Sequence, residues 1–124
     1  MSNVPSAGRQ DSLQELRNAL RQFAADRDWD QFHSPKNLAI ALNVEAAELL
    51  EHFQWVSDAE SAGIPPATRA KVREELADVF LYLIRLADKL DVDLTIAAAE
   101  KIQINAAKYP IEKARGSSKK YTDL

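Results

Sequence analysis

Residues 75–87 have the sequence ELADVFLYLIRLA, the most apolar segment of the chain. Between Leu76 and Ala87 the only charged residues are Asp78 and Arg85. On a helix the apolar side chains of this segment point in every direction around the axis, which is typical of a helix buried on all sides. One bundle of this size cannot bury such a helix all round, so the segment predicts self-association. The alternative is a central helix wrapped by its own neighbours.

Capping residues and prolines mark the helix boundaries on both sides of this segment. They predict four helices, over about 12–27, 35–55, 67–90 and 94–108, with a loop at 57–66. Ser12 with Glu15 has the pattern of a capping box at the start of the first helix. Ser34-Pro35 provides an N-cap and a first-turn proline for the second. Asp93 can cap the fourth.

The expected fold is all-α, a four-helix bundle, because four helices with short links pack naturally in this way and no segment alternates with the period of a strand. Tyr109-Pro110 ends the last helix. We therefore expect a flexible N-terminus over 1–11, a helical domain over 12–110 and a basic tail over 111–124.

The composition restricts the class of protein. The chain has 124 residues, enough for one domain, and a net charge of -3, which argues against a general nucleic-acid or membrane binder. No stretch reaches the roughly 18 apolar residues of a membrane span. Cysteine is absent, which fits a cytoplasmic location. Only three glycines occur, so the glycine-rich phosphate loops of the Walker and Rossmann patterns are missing.

Two pairs of acidic residues occur at helical spacing on neighbouring helices. Glu45 and Glu48 belong to the second helix, and Glu75 and Asp78 to the third. Residues three apart share one helix face, and Glu45 falls within the apolar stripe of its helix. A buried carboxylate is costly unless it is neutralised or paired with a cation, and the apolar faces carry few basic residues. We interpret the four acids as ligands of a divalent cation.

Hard oxygen donors favour Mg²⁺, with Mn²⁺ as a substitute, over Zn²⁺. The Glu-x-x-His pattern of di-iron bundles is missing, because neither His33 nor His52 lies three residues after a helical glutamate. A single Glu-x-x-Glu pair is usually a solvated helix face. Two pairs on adjacent helices, both directed into apolar stripes, are less common and indicate a functional site.

At these acids the chain resembles the MazG-like superfamily of all-α nucleoside triphosphate pyrophosphohydrolases, whose shared signature is Glu-x-x-Glu on one helix and Glu-x-x-Asp on the next. Within this superfamily, which also includes the dimeric dUTPases, it is most similar to the dCTP pyrophosphatase branch. The similarity extends from Leu13 to Tyr121. It is carried by FAADRDW at 23–29, QFH at 31–33, FQW at 53–55, IN at 104–105, YP at 109–110, AR at 114–115 and SSKKYT at 117–122.

The resemblance implies Mg²⁺-dependent hydrolysis of dCTP, or of a modified dCTP such as 5-methyl-dCTP, to the monophosphate and pyrophosphate. It also implies a homotetramer, a dimer of dimers, with active sites shared between subunits. Glu45, Glu48, Glu75 and Asp78 would hold the metal ion. Glu45 and Glu48 are the expected catalytic residues, and Glu48 would orient or deprotonate the attacking water.

Substrate contacts are expected from aromatic and basic residues. For the base we predict Trp29, His33, Trp55 and Tyr82, and for the phosphates Lys101, Arg115, Lys119, Lys120 and Tyr121. Asn105 is expected to contact either a base edge or a sugar hydroxyl. By resemblance the tail folds over the triphosphate of the same or a neighbouring subunit. The alternatives are that Trp29 and Trp55 are core or interface aromatics and that the tail is disordered. Arg21 departs from the side chain expected of the family near the base pocket.

Other functions stay open on the sequence alone. The same chemistry on dUTP or another non-canonical deoxynucleotide is one, since pocket shape distinguishes the bases. A non-catalytic helical scaffold and a regulatory, antitoxin-like bundle partner are two others. The four intact acids argue against the scaffold, and the short basic tail gives little support to the regulatory partner. The expected role is the removal of a nucleotide from the pool, for sanitation or balance.

Overall fold

The computed structural model describes residues 12–124, so the flexible N-terminus predicted for residues 1–11 lies outside the described residues. The regular elements in this part are helical: α1 (Ser12–Asp26), α2 (Pro35–Glu51), α3 (Asp58–Ser61), α4 (Pro66–Lys89), α5 (Leu94–Lys108) and α6 (Ile111–Ala114), with 3₁₀ turns at Asp30–Phe32 and Tyr121–Asp123. The predicted all-α class is confirmed. None of these helices combines the length and the apolar character needed to cross a membrane.

The chain divides into two compact units, the first ending at Asp91 and the second comprising Val92–Leu124. In the first unit α4 packs against α2 and, less extensively, against α1. The buried apolar residues of this unit are Ala24, Leu38, Val72, Ile84 and Ala87. They come from these three helices, so α4 is the central element of the first unit. The second unit contains α5, α6 and the last 3₁₀ turn.

Capping side chains set several of the helix boundaries. The Ser34 hydroxyl accepts a hydrogen bond from the backbone N–H of Asn37 (3.1 Å) and begins α2, and the Asp93 carboxylate accepts one from Ile96 (3.1 Å) and begins α5. Each bond satisfies a backbone donor that the first turn of a helix leaves free. The helices α1, α4 and α5 begin and end within one residue of their predicted positions.

The predicted end of α2 is wrong. The helix ends at Glu51 rather than near Trp55. After Glu51 the chain tightens into turns, in which the backbone N–H of Phe53 donates to the carbonyl of Leu50 (2.8 Å). The Trp55 side chain is 88% exposed, so no packing holds another helical turn in place.

The short helix α3 lies in the segment that was predicted to be a loop. Ser57 and Glu60 form a capping box: the Ser57 hydroxyl accepts from the backbone N–H of Glu60 (3.1 Å), and the Glu60 carboxylate accepts from that of Ser57 (3.2 Å). The sequence contained this local signal. A helix of four residues, however, is too short to display the apolar periodicity on which the prediction relied.

Within one chain α4 is not buried on all sides. Leu76, Phe80 and Leu83, which we call the α4 stripe, are 53%, 43% and 38% exposed. They lie on one helix face, at spacings of four and three residues. Within the first unit, α1 and α2 therefore do not wrap α4 completely on this face. The α4 stripe is an apolar surface that a second molecule can cover.

Candidate active site

The turn after α1 positions Trp29, one of the aromatic residues of the site. Asp28 has a φ of 54°, in the left-handed region, which aspartate tolerates better than most residues. Its backbone N–H donates to the carbonyl of Ala25 (3.2 Å), and that of Trp29 donates to the carbonyl of Ala24 (2.9 Å). This is the hydrogen-bond pattern of a Schellman motif. It brings the Trp29 ring edge-on against Phe23, with a centroid distance of 5.7 Å.

A cavity of about 250 Å³ opens beside Trp29 in the first unit. It is lined by Leu20, Phe23, Trp29, His33, Asp78, Leu81, Tyr82 and Arg85. The rings of Trp29 and His33 meet edge-on at a centroid distance of 6.4 Å. Aromatic and apolar walls with a few polar groups are typical of pockets for small organic ligands. The structure thus brings together three of the four predicted base contacts: Trp29, His33 and Tyr82.

The fourth predicted base contact, Trp55, does not line this cavity and is exposed after the end of α2. The other predicted substrate contacts belong to the second unit: Lys101, Asn105, Arg115, Lys119, Lys120 and Tyr121. In that unit the ring of Tyr121 packs edge-on against Tyr109 (6.0 Å), and the Lys108 ammonium lies 5.0 Å from the centre of the Tyr121 ring. These contacts fold the tail back on the end of α5, unlike the alternative of a disordered tail.

Three acidic residues form a compact cluster between α2 and α4. Glu45, Glu48 and Glu75 each have a carboxylate oxygen within 4.8 Å of those of the other two. The Oε2 atoms of Glu45 and Glu75 are buried, and within residues 12–124 they have no hydrogen-bond partner. Burial, and then the neighbouring carboxyl of Glu48, raise the pKa of Glu45 to about 7, and the same two causes raise the pKa of Glu75.

A divalent cation fits this cluster. The only basic side chain that approaches these carboxylates in the described part of the chain is His52, whose Nε2 lies 4.0 Å from Oε1 of Glu75. That distance is too long for a hydrogen bond. A cation among the three carboxylates would give both buried oxygens the partner they lack, and carboxylate oxygens are the ligands that Mg²⁺ and similar hard cations prefer. The donor set therefore suits a divalent metal.

Asp78, the fourth predicted ligand, connects the cluster with the cavity. It follows Glu75 by about one turn on α4 and lines the cavity beside Trp29 and Tyr82. The charge of Asp78 also raises the pKa values of Glu45 and Glu75, although less than burial and Glu48 do. Asp78 is not one of the three carboxylates that lie within 4.8 Å of one another. Its position places the acidic cluster and the aromatic cavity side by side on α4.

Arg85 is a site residue that the sequence prediction did not include. It is 5% exposed and lines the cavity. Its Nε donates to Nδ1 of His33 (3.2 Å), one terminal nitrogen donates to Asp30, and the other lies 3.7 Å from Oδ2 of Asp88. Lys89 also donates to Asp30 (2.7 Å). The only sign of Arg85 in the sequence was a charged residue inside an apolar helix, a pattern that has many structural explanations.

Arg21, which the sequence placed near the base pocket, contacts the cavity only indirectly. Its Nε donates to Oδ2 of Asp88 (2.7 Å), and this hydrogen bond holds the pKa of Asp88 below its usual range. Arg21 does not line the cavity, although its neighbours Leu20 and Phe23 do. One link from Arg21 to the pocket is Asp88, which lies beside Arg85.

Comparisons with known proteins identify the family of the chain. A family model described as MazG-like matches residues 40–124. A Homo sapiens protein named dCTP pyrophosphatase 1 is 48% identical over 115 residues, 91% of this chain and 68% of the relative, and the Bos taurus protein of that name is 45% identical over the same shares. A crystal structure of a pyrophosphatase from Archaeoglobus fulgidus matches with a TM-score of 0.77 and 37% identity, over 86% of this chain and 99% of that one. The chain therefore belongs to the MazG-like family.

Proposed function

We propose that this chain is a Mg²⁺-dependent pyrophosphohydrolase that converts dCTP to dCMP and pyrophosphate. Water adds to the α-phosphorus, and the bond between the α-phosphorus and the bridging oxygen to the β-phosphate breaks. The observation that carries the proposal is the position of Asp78, which lies between an acidic cluster suited to a cation and a cavity with aromatic walls. The relatives named dCTP pyrophosphatase 1 support the choice of base and of bond.

The four acids Glu45, Glu48, Glu75 and Asp78 would hold the Mg²⁺, and Mn²⁺ would substitute for it because both take oxygen ligands. When bound, such an ion neutralises the carboxylates, polarises the phosphate and lowers the pKa of a coordinated water. Without it the carboxylates would repel the anionic triphosphate. Substrate binding should therefore depend on the cation as strongly as the chemistry does.

Glu48 is the residue that we assign to the attacking water. It lies in the acidic cluster, but unlike Glu45 and Glu75 it has no buried oxygen that lacks a partner within residues 12–124. Its carboxylate is therefore more open to an attacking water molecule than theirs. Glu45, also assigned to catalysis, would bind the cation next to the attacking water. Glu48→Gln keeps the shape of the side chain and removes the charge, so retained turnover would contradict the assignment.

Trp29, His33 and Tyr82 are the proposed base contacts, because they share one cavity. We assign Trp55 and the residues of the second unit (Lys101, Asn105, Arg115, Lys119, Lys120 and Tyr121) to sugar, phosphate and remaining base contacts within a homotetramer with shared sites. The exposure of Trp55 and of the α4 stripe supports this assembly, since each leaves apolar area for another chain to cover. The proposed setting is the cytoplasmic nucleotide pool, where the enzyme would remove excess or modified deoxynucleotides.

The decisive experiment is an incubation of the purified protein with each dNTP and NTP, dUTP and 5-methyl-dCTP, with Mg²⁺ and with EDTA. Phosphorus NMR identifies the products. We expect dCMP and pyrophosphate from dCTP, and no turnover with EDTA or in Glu48→Gln. Release of orthophosphate would mean that a different bond is cleaved. No turnover of any nucleotide by a folded protein would refute the proposal.

A further inference from the structure

The contact between Arg85 and His33 determines the protonation of the histidine ring. Arginine has five N–H donors and no acceptor. Because its Nε donates to Nδ1 of His33, that ring nitrogen must carry the lone pair. Burial, and then the positive charges of Arg85 and Lys89, lower the pKa of His33. In the resulting neutral ring the single proton is on Nε2.

The orientation of Arg85 is fixed by the other atoms around it. Asp30 accepts a hydrogen bond from one terminal nitrogen, and Asp88 lies beside the other. These two carboxylates are themselves held from outside, Asp30 by Lys89 and Asp88 by Arg21. Because a guanidinium is planar and rigid, holding both ends also fixes the direction of its Nε–H. The Nε–H therefore points at Nδ1 of His33.

The second ring nitrogen of His33 remains free for a ligand. Nε2 has no hydrogen-bond partner among residues 12–124, and His33 lines the cavity next to Trp29. The Nε2–H group at this position can donate a hydrogen bond to an acceptor on the edge of the base. It disfavours a base that presents an N–H donor there. In a cytosine ring the acceptors are O2 and N3, whereas the exocyclic amino group is a donor.

Building on the proposed function, we propose that Arg85 is a specificity-determining positioning residue: it holds His33 as an Nε2–H donor to the O2/N3 edge of the cytosine base. Arg85 acts through the histidine in this role. The sequence gives no hint of it, because Asp30 and His33 reach Arg85 only through the folded connector between α1 and α2.

The tautomer can be measured directly, without substrate or turnover. The chain has two histidines, so ¹⁵N-histidine labelling of the full-length protein gives two ring systems, and the one lost in His33→Gln belongs to His33. Two-bond ¹H–¹⁵N spectra distinguish protonated from unprotonated ring nitrogens. We expect Nε2 protonated and Nδ1 unprotonated in the wild type, and a mixture of tautomers in Arg85→Gln. A proton on Nδ1 of the wild type would overturn the proposal.

A double-mutant cycle tests the functional half of the proposal. We expect Arg85→Gln to lower kcat/KM for dCTP about ten-fold, mainly through KM, as the loss of one well-placed hydrogen bond would. In a His33→Gln background the same change should have almost no further effect. Arg85→Lys keeps the buried charge but lacks the rigid fork, so it should fold and still lose most of the wild-type kcat/KM.

Equal losses from Arg85→Gln in both backgrounds would overturn the proposal, because Arg85 would then act on the fold or touch the substrate itself. Full wild-type kcat/KM in Arg85→Lys would overturn it as well. The two readouts separate this inference from the proposed function. If no nucleotide is turned over while NMR finds the predicted tautomer, the substrate assignment fails and the role of Arg85 in fixing the histidine stands.

Discussion

Glu45 on α2 and Glu75 on α4 each bring into the same cluster a buried carboxylate oxygen that has no hydrogen-bond partner in the described part of the chain. This arrangement opposes folding, since burial and like charge both disfavour the ionised groups. A chain under selection for stability alone would replace one of the two acids. The local conflict with the apolar faces of both helices is the kind that occurs at functional sites.

Binding of a divalent cation should stabilise the fold. At about a hundred times its Kd, Mg²⁺ would raise the free energy of unfolding by about 2.7 kcal/mol, because it binds the folded cluster and not the unfolded chain. We expect a higher melting temperature with Mg²⁺ or Mn²⁺ than with EDTA, measured by calorimetry. The shift should disappear in Glu45→Gln and Glu75→Gln but persist in Glu74→Gln, which alters an exposed acid next to the cluster. An unchanged shift in Glu45→Gln would contradict the site.

The metal-free protein should lose stability as the pH rises from about 4.5 to about 7. The pKa of Glu45 is about 7 in the folded state and 4.5 in the unfolded chain, so the folded state binds more protons in this interval. The contribution of this group is full below pH 4.5 and is lost as the pH passes 7. Because Glu45 is only partly buried, we expect about 1 kcal/mol, less than the full value of the shift.

Denaturant titrations in EDTA at several pH values measure this slope. Glu45→Gln has no carboxylate to titrate, so its stability should fall less over the same interval, and it should exceed that of the wild type above pH 7. Glu51→Gln, at an exposed position at the end of the same helix, is the control and should keep the wild-type slope. If the stabilities of the wild type and Glu45→Gln depend on pH in the same way, the raised pKa of Glu45 is not the cause of the loss of stability.

The acidic cluster could be predicted from the sequence because its spacing is a property of helices. Residues three apart share a face wherever the helix lies, and Glu45 falls in an apolar stripe that must pack against another helix. The packing of α4 against α2 then brings Glu75 to Glu45. Local spacing and one packing rule were therefore enough for this part of the site.

The contacts of Arg85 could not be predicted in this way. Asp30 and His33 lie on a connector whose course depends on the left-handed conformation of Asp28, and no glycine marks that turn. Several side chains must then meet at atomic distances, which neither periodicity nor propensity specifies. The end of α2 was missed for a related reason, since it depends on backbone turns after Glu51 rather than on a capping residue.

Trp29→Ala should raise the KM for dCTP at least ten-fold with a smaller change in kcat. The ring forms a wall of the cavity, and loss of aromatic contact with a base is worth about 1–3 kcal/mol. Phe32→Ala is the matched control, because Phe32 lies in the same connector, is exposed and does not line the cavity. Steady-state kinetics on both variants make the comparison. Equal effects of the two substitutions on KM would mean that substrate binding depends on the connector as a whole and not on the Trp29 ring.

Truncation after Ala114 should raise KM sharply or abolish turnover, because it removes Arg115, Lys119, Lys120 and Tyr121 from the proposed phosphate contacts. Lys119→Gln with Lys120→Gln is a milder test, and its loss of affinity should shrink as ionic strength rises and screens the charges. Mixing the truncated chain with Glu48→Gln tests shared sites. Recovery of activity in the mixture requires that one chain supplies the tail and another the acids. Wild-type kinetics of the truncated protein would leave the tail outside the site.

Phe80→Glu should break the proposed assembly. The α4 stripe exposes apolar area in one chain, and a charge placed in its centre would be buried without a partner if a second copy covered it. Lys71→Glu is the control, since at about 100° per residue Lys71 is on the opposite side of α4. Light scattering coupled to gel filtration measures the mass of each variant.

We expect the wild type and Lys71→Glu to be oligomeric and Phe80→Glu to be smaller and less active, because a separated chain cannot complete a shared site. A wild type that is monomeric at micromolar concentration would exclude the tetramer and would require all substrate contacts to come from one chain.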